Sequence, residues 1–157
     1  MTDAAQSLTL PDGRRVSFFD TGGSPQRVLV WHSGTPHTGR VIAPVRAAAA
    51  RAGARVVSVA RPGYGGSTRL VGRSVADAAR DVVAVLDELG IERFATVGAS
   101  GGGPHALALA ALTGERAAGV ATFAAVAPYR ANDPDWFAGM ADPRALRATS
   151  HGSAPTF

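Results

Sequence analysis

The segment that most limits how this chain can fold is Gly98-Ala99-Ser100-Gly101-Gly102. It closes an apolar run, Phe94–Gly98 (FATVG), and leads straight into Gly103–Leu112 (GPHALALAAL), which has helix composition. The pattern is G-x-S-x-G, and a strand–turn–helix setting is what gives it chemical meaning as a nucleophile elbow. The turn is so sharp that a Cβ two residues either side of the serine is expected to collide with the opposing arm, and Gly98 and Gly102 have none. Ser100 is expected to hold a strained backbone conformation that lifts its hydroxyl above the carboxyl edge of a sheet. Pro104 fits the first turn of the following helix, where no N–H is needed. The Gly101 N–H is then a candidate donor to a developing oxyanion. The competing reading is a glycine-rich cradle for phosphate at a helix N-terminus. Neither G-x-G-x-x-G nor GK[ST] occurs in the chain, so the elbow is preferred.

The rest of the chain supplies the sheet that such an elbow needs. Ser7–Leu10 and Ser17–Asp20 flank the turn Pro11-Asp12-Gly13 and read as a hairpin. Arg27–His32 (RVLVWH), Arg55–Val59 (RVVSV), Phe94–Gly98 and Val120–Ala127 (VATFAAVA) are near-continuous apolar runs, as in a parallel sheet covered on both faces. Val41–Ala52 is an Ala-rich helix ending near Gly53. Val75–Leu89 is the clearest helix: Ser74 can cap it, Asp77 can return the bond, and Gly90 stands where a terminating glycine belongs. Val75, Ala78, Val82, Leu86 and Leu89 share one face, and Asp77, Arg80, Asp81 and Asp87 are expected to face away. Gly103–Leu112 is apolar almost all round and is expected to be buried. A hairpin followed by β-α-β-α-β-α-β predicts an α/β fold, with a mostly parallel sheet and helices on both faces.

Two further loops follow strands. His32-Ser33-Gly34-Thr35-Pro36 leaves RVLVWH, and in a parallel sheet it lies beside the elbow. By itself it reads as an ordinary strand-to-helix turn. Beside the elbow, its backbone can supply a second oxyanion donor, the Thr35 N–H. Arg61-Pro62-Gly63-Tyr64-Gly65-Gly66-Ser67 has the glycines and proline of a loop with special backbone angles. Its expected role is to shape the pocket, with Tyr64 near the rim.

HSGTP, RPGYGGS and GASGGG, in this order on these elements, resemble the N-terminal half of an α/β-hydrolase, most of all the esterase and proline-iminopeptidase-like branch. The resemblance runs over residues 7–140 and includes PYRANDPDWFAGM, which is similar to the entry into a helical cap. It implies the fold, a serine nucleophile and acyl transfer on a carboxylic ester or amide, with Ser100 attacking and Gly101 and Thr35 holding the oxyanion. A serine at this position argues against the dehalogenase and epoxide-hydrolase branches, whose nucleophile is Asp. The family's chain order is Ser, then Asp or Glu, then His, the last two after later strands. The chain ends before such strands, so the expectation is a core truncated after about the sixth strand. Residues 1–128 are read as the N-terminal part of the core, and 129–157 as the start of a cap and an irregular tail. His32 matches the family's oxyanion-loop histidine, which is not the base. His37 reads as a loop residue and His105 as a packing or rim residue. His151 alone follows the nucleophile at a distance, but no strand positions it. Asp133 and Asp135 follow the last strand and read as the start of the cap. A catalytically inactive remnant, or a half-domain that binds a ligand at the elbow, is the alternative function.

Composition narrows the remaining classes. There is no cysteine, which excludes disulfides, thiol nucleophiles and cysteine-based zinc sites. The basic residues number 16 against 12 acidic ones, and all of them are arginine. They are scattered rather than grouped into the stripe that binds nucleic acid, and they read as solvated surface. No run approaches the roughly 18 apolar residues of a membrane helix, and the first residues lack the pattern of a secretory signal. A cytoplasmic protein acting on a small molecule, without metal or organic cofactor, is expected. Val120–Ala127 carries no charge and no proline. If it lies at a sheet edge, it lacks the usual protection and invites self-association.

Overall fold

A computed structural model of the protein describes residues 4–23 and 26–127. The expectations for 129–157, including Asp133, Asp135 and His151, lie outside these residues. The strands are β1 (Gln6–Thr9), β2 (Arg15–Asp20), β3 (Val28–His32), β4 (Arg55–Val59), β5 (Phe94–Ala99) and β6 (Ala117–Phe123). The helices are α1 (Ala43–Arg51), α2 (Val75–Glu88) and α3 (Gly103–Thr113). The chain divides into two compact units, Met1–Val126 and Ala127–Phe157, and these elements all belong to the first.

The strands form one sheet in the order β1-β2-β4-β3-β5-β6. β1 with β2 and β2 with β4 are antiparallel. The pairs β3–β4, β3–β5 and β5–β6 are parallel. The expected α/β architecture is therefore present, entered through the hairpin at Pro11-Asp12-Gly13. There Gly13 takes a positive φ of 82° and donates to the Leu10 carbonyl at 2.9 Å.

Helices pack on both faces of the sheet. On one face Val82, Val85 and Leu86 of α2 and Leu109 of α3 pack with Phe18, Val30, Val57 and Phe94. On the other, Ala49 of α1 packs with Phe19, Trp31 and Val56. Leu86 and Leu109 are each 0% exposed, and full burial of such a side chain contributes about 1.5–3 kcal/mol. α2 starts as its sequence predicts. Ser74 Oγ accepts the Asp77 N–H at 3.1 Å and Asp77 Oδ2 accepts the Ser74 N–H at 2.8 Å. It stops at Gly90, whose φ of +63° an L side chain rarely adopts.

Three expectations need correction. Asp81 does not face solvent: it is buried and takes a two-pronged ion pair from Arg14, at 2.8 and 2.9 Å, which ties α2 to the hairpin. α3 is not buried all round, since Leu107 is 50% and Leu112 48% exposed. The last strand begins at Ala117 rather than Val120, with Ala118 forming a bulge between the pairs Phe94–Ala117 and Ala95–Gly119. It ends at Phe123 because Ala124 turns out of the strand at φ +47°. Among the described residues β6 ends the sheet, and nearly its whole length is exposed.

β3 departs through α1 toward β4, and β5 departs through α3 toward β6, on opposite faces and in opposite directions. Adjacent strands whose exits diverge leave a crevice at their carboxyl ends, the usual ligand position in an open α/β sheet.

Candidate active site

The crevice is built from the ends of β3 and β5. His32 pairs in register with Gly98, so the loop after His32 lies directly beside the elbow. Ser100 is exposed and has φ +49°. For a non-glycine residue this left-handed conformation costs on the order of 1–2 kcal/mol. The strain is held in place by packing on both sides. A Cβ at Gly98 would strike the Gly102 carbonyl and lie 2.8 Å from Gly103 Cα, so the strand arm and the helix arm touch through backbone alone. That is the reason expected from sequence. Gly102 needs the same emptiness for a different reason. Its Cβ would fall 2.6 Å from the Ser33 carbonyl oxygen and closer still to that of His32. The obstruction is the end of β3 and the start of the loop after it, not the elbow's opposing arm.

The structure brings Ser100, Gly101 and Thr35 together. A Cβ at Gly34 would touch Ser100 Cβ at 3.3 Å and Oγ at 3.8 Å. A Cβ at Gly101 would meet Thr35 Oγ1 at 2.7 Å and Thr35 N at 3.7 Å. Thr35 and Ser100 are exposed and Gly101 half-buried, so the cluster is open to a ligand.

Arg61 is the site residue that the sequence does not disclose. Its guanidinium is buried behind the cluster. Nη1 donates to the carbonyls of Ser33 (3.2 Å) and Gly101 (3.1 Å). Nη2 donates to the Gly34 carbonyl (2.7 Å) and to Thr35 Oγ1 (2.9 Å). The Tyr64 ring lies 5.4 Å from Cζ, so Tyr64 backs the arginine. Proline and glycine around Arg61 signal a loop, but nothing local signals that the arginine turns inward. The loop is shaped as expected: a Cβ at Gly65 would lie 2.7 Å from the Thr38 carbonyl oxygen.

Burial dominates the electrostatics. His32 is pushed down to about 3 by desolvation, then by His105 and Arg61. His105 is pushed down to about 4 by desolvation and Arg61. Both are neutral at pH 7. Of the two places expected for His105, packing rather than the rim is the one found: it is buried, with Nδ1 3.0 Å from the Gly101 carbonyl. A carbonyl only accepts, so Nδ1 carries the proton and Nε2 is left as an acceptor. His37 is also lowered, by burial and then Arg61, and its Nδ1 accepts the Gly39 N–H at 3.1 Å. No cluster of three or more His, Cys, Asp or Glu that could hold a metal occurs among the described residues. No helix among them is long and apolar enough to cross a membrane. An apolar groove of about 730 Å³, lined by Leu29, Trp31, Val45, Val97 and Phe123 among others, opens on the α1 face. It includes none of Ser100, Gly101 or Thr35 and is separate from the crevice.

Comparison with known proteins agrees with this architecture. The family model for the alpha/beta hydrolase fold matches residues 27–152. An uncharacterized hydrolase of Bacillus subtilis, YcgS, is 34% identical over 106 residues, which is 67% of this chain and 36% of that protein. The esterase EaEST from Exiguobacterium antarcticum superposes with a TM-score of 0.66 at 24% identity, covering 80% of this chain and 47% of that one. Epoxide hydrolase A from Mycobacterium thermoresistibile superposes with a TM-score of 0.63 at 25% identity, covering 77% of this chain and 39% of that one. The chain thus spans about half or less of the length of these proteins. Sheet order, diverging strand exits and the match over residues 27–152 have one explanation: the chain belongs to the alpha/beta hydrolase fold family.

Proposed function

We propose that this chain carries the nucleophile and oxyanion site of a serine hydrolase acting on a small carboxylic ester or amide. The observation that carries the reading is Ser100 at φ +49°, exposed at a strand-to-helix turn beside the His32–Thr35 loop. Strained non-glycine residues of this kind cluster at active sites. A serine also distinguishes this elbow from hydrolases that attack through an aspartate.

In the proposed reaction Ser100 Oγ adds to the substrate carbonyl, and its proton passes to a base. The oxygen that becomes negative is held by the N–H groups of Gly101 and Thr35. The leaving alcohol or amine departs, and water then hydrolyses the acyl-Ser100 ester. His32 and His105 are buried and His37 Nδ1 is engaged with Gly39, so none of these three is assigned as the base. Without a base the serine hydroxyl is a weak nucleophile.

Turnover of p-nitrophenyl esters by the wild type and by Ser100→Ala tests the proposal. Turnover above background that Ser100→Ala abolishes is the expected result. Equal turnover in both would remove Ser100 from the chemistry. The burial of His32 and His105, which keeps both from serving as bases, favours a second reading. In it the fold is retained as a non-catalytic protein that binds a ligand at the elbow. It predicts background rates for both proteins.

A further inference from the structure

Arg61 is 8% exposed, yet among the described residues its four Nη–H bonds go to neutral acceptors and to no carboxylate. Burying a guanidinium is costly unless its donors are satisfied in good geometry. Here the acceptors come from two segments far apart in sequence. Ser33, Gly34 and Thr35 belong to the loop after β3, and Gly101 belongs to the elbow after β5. Nη1 bridges the two segments by itself, through the Ser33 and Gly101 carbonyls. His105 Nδ1 shares the Gly101 carbonyl from the helix side.

We propose that Arg61 is a positioning residue that sets the spacing between the Thr35 and Gly101 backbones, and so holds the two oxyanion donors at one distance from Ser100. This rests on the serine-hydrolase reading above. A planar fork with five fixed donors can span four acceptors, whereas a lysine ammonium is a point charge on a flexible stem. Geometry and charge are therefore separable at this position. Lysine keeps the charge and loses the bridge.

A fluorophosphonate ester is the probe. Ser100 Oγ bonds to phosphorus as the P–F bond breaks, and fluoride and the hydroxyl proton leave to solvent. Intact-mass spectrometry follows labelling in the wild type, Ser100→Ala, Arg61→Lys and Arg61→Met, with circular dichroism confirming the fold of each. A folded Arg61→Lys is expected to label at least tenfold more slowly. The loss should fall in the maximal labelling rate, with the half-saturating probe concentration little changed. For scale, deleting one oxyanion donor costs about 10²–10³ in rate. Wild-type labelling in a folded Arg61→Lys would overturn the positioning role while leaving the serine reading intact. No labelling of Ser100 in the wild type would overturn both. If the variants do not fold, the ¹⁵N-labelled wild type still decides. Four distinct, slowly exchanging Arg61 Nη protons are expected, and a single averaged, fast-exchanging signal would refute the bridge.

Discussion

Gly102→Ala separates a glycine needed for space from one needed for backbone angle. Gly102 has φ −80° and ψ −21°, an ordinary helical conformation for any L residue. By backbone preference alone alanine should therefore be more stable there by about 0.5–1 kcal/mol. Space reverses the sign. The added Cβ would lie 2.6 Å from both the His32 carbonyl carbon and the Ser33 carbonyl oxygen, and nearer still to the His32 oxygen. None of these atoms is a flexible side-chain end, so the end of β3 and the loop after it have to move. Forcing extra atoms into packed structure costs about 1–3 kcal/mol, with the upper end expected where backbone must shift. Net destabilisation of about 2 kcal/mol lowers the melting temperature by about 4–8 °C in a chain of this size. The control is Gly119→Ala on β6, where an added Cβ meets nothing within 4 Å. Thermal melts followed by circular dichroism should show Gly119→Ala at or above the wild type and Gly102→Ala clearly below it. A midpoint for Gly102→Ala equal to or above wild type would mean that the loop is not seated against the elbow as described. Because the displaced loop carries Thr35, Ser100 labelling by a fluorophosphonate should slow in Gly102→Ala as well.

Two further outcomes follow from the same structure. His32 and His105, lowered to about 3 and about 4, stay neutral in the folded protein while the unfolded chain takes up protons below about pH 6.5. Stability should therefore fall as pH drops from 6.5 toward 4, by roughly 2 kcal/mol per histidine at pH 5. Urea midpoints at pH 7.5 and 5.0 measure this, and His105→Leu should shrink the difference; identical wild-type midpoints would refute it. Asp12, Asp20 and Asp77, each below the ordinary 3.8, lose their contributions only near and below that value and do not confuse the pH 5 comparison. At the sheet edge, Ala121 lies exposed on β6, paired on its inner side with Val97. Ala121→Lys should reduce self-association, since charge blunts edge pairing. Light scattering after size exclusion checks it, and a wild type that stays monomeric at high concentration would exclude association through this edge.

Features whose partners are a few residues apart were legible in the sequence. Ser74 and Asp77 cap α2 across three residues, Gly90 ends it, and Gly98 faces the backbone of Gly102 and Gly103 across one turn. Ser100 was legible for the same reason: the strain at its backbone is set by the tight turn in which it sits. The run lengths and their order also determined the parallel sheet, because apolar strands separated by helices bury both faces in few other ways. The tertiary structure decided the rest. Asp81 looks like one more surface carboxylate on α2 until Arg14, 67 residues away in sequence, meets it. Gly102 reads as half of a symmetric pair, yet what it avoids is the end of another strand and the loop after it. Arg61 reads as a surface arginine in a chain rich in them, and its acceptors lie 26 to 40 residues away. An arginine is the same letter in the sequence whether water or a crevice surrounds it. Which of the two surrounds it is set by strand order, and no pattern along the chain encodes strand order locally.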